Sequence, residues 1–111
     1  MATSSADADM SELERLFGIH QQRPFPSRAT VATAGLKSDL VAYDSHIAGC
    51  VMRLLKGERI EPSRLALNQA LDAALDAVPD EPFIQQMKGY KQGLDELVRA
   101  ARNVIGAVSN G

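Results

Sequence analysis

His20, His46 and Cys50 are the side chains of this 111-residue chain best suited to soft-metal or nucleophilic chemistry. His46 and Cys50 stand one helical turn apart, a spacing at which two residues of one helix can share a metal. Tyr43 precedes His46 at i−3, and Asp39 lies two turns back. Two ligands do not make a zinc centre, and His20 is the only other imidazole. Cys50 also falls on an apolar seam, where a free thiol packs as a small hydrophobe. Nucleophilic catalysis needs a nucleophile, a base and an orienting acid around a cleft, and His46 and Cys50 sit one turn apart on a helix face with no cleft evident between them. No Gly-x-Ser-x-Gly elbow and no phosphate-binding loop occurs. Asp72, Asp76, Asp80 and Glu81 gather near one helix end and read as a solvated face. The expectation is a protein with no catalytic residue, no cofactor and no metal.

His46 permits one further chemistry, phosphoryl acceptance. In overall architecture the chain resembles histidine phosphotransfer domains, which are helical bundles of about this size. Their motif sets a Lys and then a Gly shortly after the acceptor. Here Gly49 stands at i+3, the nearest downstream basic residue is Arg53, and Lys56-Gly57 comes too late. Phosphotransfer through His46 is therefore the weaker alternative.

Basic side chains suggest a different partner. Arg53, Lys56, Arg59 and Arg64 surround the turn after the second helix, and Arg99 and Arg102 fall in the last one. Brought to one end of a bundle, they would form a positive patch for phosphates. Glu58, Glu61, Asp95 and Glu96 interrupt them, and no recognition helix is evident. Nucleic-acid binding through a basic bundle end is thus the alternative function. Phe25, between Pro24 and Pro26, reads either as a plug on the bundle or as an exposed linear anchor. Gly89 and Gly93 form a G-x-x-x-G step that admits a close neighbour, expected from within the chain.

The elements positioning these residues follow from apolar spacing. Leu36, Leu40, Tyr43, Ile47, Cys50 and Leu54 advance by alternating fours and threes, which keeps them on one helical face. Leu67, Leu71, Ala74 and Val78 repeat the pattern, as do Met87, Tyr90, Leu94, Leu97, Ala101, Val104 and Val108. The second helix is expected from Gly35–Ser38 to Lys56-Gly57, with Gly57 as a left-handed cap. The third should run from Pro62 to about Val78. The fourth should start with Asp80 as N-cap and end near Ala107. Ser11 and Glu14 have capping-box spacing and predict a short first helix ending near Gly18–Gln21, after a disordered tail at 1–10. Residues 11–111 then form a single helical-bundle domain. The fold class is all-α, an antiparallel three-helix core with an additional short N-terminal helix, like a four-helix bundle.

Composition narrows the class. The net charge is −2, so no global field gathers polyanions. One cysteine allows no internal disulfide and suits a reducing, cytoplasmic setting. No apolar run is long enough to cross a bilayer. Helix lengths carry the functional reading: the fourth helix should overshoot the turn between the second and third by about 15 Å. That apolar end carries Val98, Ala101, Val104, Ile105 and Val108 and needs a cover, either the N-terminal helix or a second subunit. These five residues and Phe25 are the expected partner-binding set of a small, non-enzymatic interaction module. Such a module self-associates or binds a partner helix through its apolar end.

Overall fold

Four helices make up most of the computed structural model, which describes residues 5–110, with side chains from 7 to 108. They are α1 (Ser5–Gln22), α2 (Ala34–Leu55), α3 (Gln69–Asp76) and α4 (Pro82–Asn110), with 3-10 turns at Val31–Thr33 and Pro62–Leu65. Among the described residues there is no strand, and the all-α class read from the apolar spacing is what the chain adopts.

α1 is longer than the capping signal implied. It begins at Ser5, so Ser11 lies inside the helix and its box does not start it. Ser5–Met10 of the expected tail are helical, while residues 1–4 lie outside the described residues. Alanine favours helix, and Asp7 meets the positive end of the helix dipole. Leu13 and Phe17 then anchor α1 in the core.

α2 keeps the boundaries its spacing predicted. The Thr33 side-chain oxygen accepts from the Thr30 amide at 2.9 Å just ahead of it. At its other end Glu58 N–H reaches the Arg53 carbonyl at 2.9 Å and Gly57 N–H reaches the Leu54 carbonyl at 3.0 Å. Gly57 has φ +83°. Together these bonds and the left-handed glycine form a Schellman cap.

The third helix departs from expectation. Pro62 opens only a 3-10 turn, and Ala66 turns extended (φ −62°, ψ 137°). Asn68 then accepts a bond from the Leu71 amide at 3.1 Å and caps α3. A side-chain cap in mid-segment competes with a continuous helix, and here it wins. Leu67 consequently leaves the apolar seam and is exposed, while Leu65 and Leu71 are buried on either side of the break.

α4 starts at Pro82, one residue later than an Asp80 N-cap requires. Asp80 instead accepts from Gln85 Nε2 at 2.8 Å and Lys88 Nζ at 3.3 Å. The helix runs three residues past the expected end, to Asn110. α1 lies antiparallel along it: Met10 borders Ile105 and Val108 at one end, and His20 packs on Tyr90 toward the other. α1, α2 and α4 therefore carry the core, centred on Leu13, Leu40, Ile47, Leu94, Leu97 and Val104, and short α3 closes one side.

Candidate functional site

The end of α4 does not stand clear of the turn after α2: Val104, Ile105 and Val108 lie beside Leu54 and the Gly57–Ile60 turn, and Met10 of α1 closes on them as well. Val98, Ala101 and Val104 are buried within the chain itself, so they offer nothing to a partner while α1 is docked. Ile105 is half-buried and Val108 is 57% exposed. Beside them Met10, Leu54, Ile60 and Val104 line a pit of about 100 Å³ with Glu58 and Arg59 on its rim. That space suits a single aliphatic side chain and is far too small for a helix. Phe25 sits apart from this end. Its ring meets Tyr90 edge-on at 4.9 Å between centroids, which is the plug reading. The six expected partner residues thus do not form one surface.

His46 and Cys50 part company as well. His46 Nε2 donates to the Arg64 carbonyl at 2.6 Å, tying α2 to the 3-10 turn at Pro62–Leu65. Cys50 is buried in the core. No group of three metal-ligating side chains occurs among the described residues.

Two polar clusters were not anticipated. In the first, His20 is buried, its Nε2 donates to Asp44 at 2.7 Å, and its Nδ1 has no hydrogen-bond partner among the described residues. Tyr90 packs against His20 at 4.8 Å between centroids. Its phenol is pushed up to about 12 by burial and then by the neighbouring Asp44 carboxylate. Arg23 lies over Gly93, where an added Cβ would collide with the guanidinium. The neighbour admitted by the G-x-x-x-G step is therefore a side chain of the same protein. In the second cluster Lys91, only 2% exposed, donates to Asp72 and Asp95 at 2.8 Å each. Its ammonium stands 5.1 Å from the centre of the Tyr43 ring. Burial opposes the Lys91 charge, but the two carboxylates outweigh it and raise the pKa. Asp72 is thus a clamp between α3 and α4 rather than part of a solvated face. Lys91 was legible, since it shares the apolar register of Met87 and Leu94.

The basic residues are partly engaged. Arg53 pairs with Glu58 at 3.3 Å, and Arg102 donates to the Leu65 carbonyl at 3.2 Å.

A further surface escaped the sequence reading because its signal is a lack of charge. On α2, Gly35, Ser38, Ala42, Ser45, Gly49 and Met52 advance by threes and fours on the side away from Leu40 and Ile47. All six reach solvent, with Gly49 half-buried, and Val41 and Met52 are 45% and 46% exposed. Gly35 and Gly49 face open space. Val31, at the entrance to α2, is 97% exposed. A solvent-facing stripe is normally polar or charged. Of the four charged residues of α2, Lys37, Asp39 and Asp44 lie off this one, and Arg53 enters it only at the last turn, four residues after Gly49. Lys37 bonds the Ser27 carbonyl at 2.8 Å and Asp44 bonds His20, Asp39 borders the stripe on one edge, and Arg53 pairs with Glu58.

No protein-family model, curated protein or solved structure matches this chain. No helix among the described residues is long and apolar enough to cross a membrane.

Proposed function

We propose that this protein is a non-enzymatic, self-associating helical module and that the outer face of α2 is its docking surface. One observation carries the reading: a helix apolar toward the core is also uncharged on its opposite face from Ala34 to Met52, with Val41 and Met52 in solvent. A helix face bared to solvent is normally polar or charged, and one short of charge is a face that a partner can cover. The apolar end of α4 supports the choice by subtraction, because α1 already occupies most of it.

Light scattering behind a sizing column, over a wide concentration range, tests this. The wild-type chain should give a mass above 12.0 kDa that rises with concentration toward a stable oligomer. Ser45 is exposed, so Ser45→Glu should leave the helical circular dichroism intact and reduce the mass to that of a monomer. Val108→Lys should leave the mass unchanged. A monomer at every concentration overturns self-association. An assembly that survives Ser45→Glu but dissolves with Val108→Lys returns the docking surface to the bundle end.

A further inference from the structure

The two glycines of the G-x-x-x-G step leave two notches on α4, and only one is filled. Gly93 is buried under the Arg23 guanidinium, whereas Gly89, one turn earlier, is exposed and faces open space. That open notch is part of the wall of a cleft of about 430 Å³ between α4 and the extended strap of residues 23–27. Arg23, Phe25, Gln86 and Tyr90 line it together with Gly89. The geometry points to a binding site for a small organic carboxylate, with its charged head on Arg23 and its apolar body in the cleft.

Arg23 is the only charged residue in the lining of the cleft. It is half-buried and has no ion pair among the described residues. Its one hydrogen bond there runs from the backbone amide to the His20 carbonyl, at 3.0 Å. Asp44, the carboxylate beside Tyr90, is already taken by His20 Nε2 at 2.7 Å. The guanidinium therefore keeps its planar fork of donors, and in partly desolvated surroundings a charge-assisted bond to an anion is stronger than in water. A single positive charge matches a monoanion. A carboxylate accepts two parallel N–H bonds from the fork, whereas a phosphate dianion would leave charge uncompensated. The Tyr90 phenol, its pKa pushed up to about 12, stays neutral at ordinary pH and sets no negative charge beside the ligand.

The rest of the lining supplies apolar contact and a few neutral polar groups. Pro24 and Pro26 stiffen the strap, and Lys37 ties down its far end by donating to the Ser27 carbonyl at 2.8 Å. Phe25 meets Tyr90 edge-on at 4.9 Å, so the two rings hold the strap against α4. Gln86, three residues before Gly89 on α4, is exposed, and its amide can donate to a carboxylate oxygen. The volume falls in the range of small-molecule pockets, which combine apolar walls with a small number of placed polar groups.

Titration of the full chain with benzoate, followed by amide NMR, tests the site, with benzamide as the uncharged counterpart. Benzoate should shift the amides of Arg23, Phe25, Gln86, Gly89 and Tyr90 along one saturating curve, and benzamide should not. Arg23→Gln should weaken benzoate binding at least about tenfold. Gly89→Leu keeps Arg23, suits a helix and puts a side chain into the cleft, so it should abolish binding. Both variants should retain the helical circular dichroism of the wild type. If Arg23→Gln loses it, Gly89→Leu alone decides the matter. Shifts that do not saturate, that spread over the surface lysines and arginines, or that persist in Gly89→Leu overturn the site. Phenyl phosphate binding more tightly than benzoate overturns the carboxylate assignment and makes the head group a phosphate ester.

Discussion

Lys91 is buried because its ammonium has a defined place to go. Asp72 on α3 and Asp95 one turn along α4 each accept a hydrogen bond from it, and Lys91 shares the apolar register of Met87 and Leu94. The same region holds both tyrosines of the chain, and each titrates abnormally. Burial raises the Tyr43 pKa against the pull of Lys91, and Tyr90 is raised to about 12. Lys91 is raised as well. All three groups hold their protons to higher pH when folded than when unfolded. Their contribution to stability is thus complete below about pH 10, the unfolded tyrosine value, and is lost as pH rises toward 12. In an alkaline titration phenolate absorbance should lag behind that of the denatured chain and then appear together with loss of helical signal. Ionisation of both tyrosines near pH 10 with the helices intact would contradict this account.

At the scale of elements, the two glycines of the G-x-x-x-G step have opposite surroundings. A methyl group on Gly89 meets nothing, whereas one on Gly93 displaces the Arg23 guanidinium. Gly89→Ala should therefore stabilise the fold by about 0.5–1 kcal/mol through helix propensity. Gly93→Ala should gain less, since moving Arg23 sacrifices its packing on α4. Thermal melts of the two variants compare them directly, and an equal gain at both sites would show that Arg23 contributes nothing there. The same scale explains the interrupted third segment. Its periodicity from Leu67 to Val78 is genuine, but Asn68 can accept the Leu71 amide, and Leu65, just before the extended Ala66, is fully buried. A local cap combined with a tertiary contact outweighed a regular pattern.

For the whole molecule, the decisive contact is α1 along α4. Although Leu13 and Val104 lie far apart in sequence, both are fully or nearly fully buried. Leu13→Ala should cost about 2–5 kcal/mol in denaturant unfolding, as for any large core residue. Val108→Lys, on the exposed last turns, should stay within about 0.5 kcal/mol. A cost for Leu13→Ala as small as that of Val108→Lys would mean α1 is not part of the cooperative unit. The described chain measures 54 × 25 × 20 Å, close to the length of α4 plus its flanks.

What the residues determined alone is the helical class, the core-facing register of α2 and α4, and the stop at Gly57. These depend on periodicity and on backbone freedom, which are local properties of the chain. Tertiary structure decided which partner each face received. Nothing near Val104 in sequence says that Met10 will lie beside it, and nothing near Lys91 names Asp72 as its acceptor. It also decided that Phe25 closes on Tyr90 and that the uncharged side of α2 is left uncovered. Periodicity shows that a face must be buried, but its partner depends on competition among all the apolar and charged faces of the folded chain.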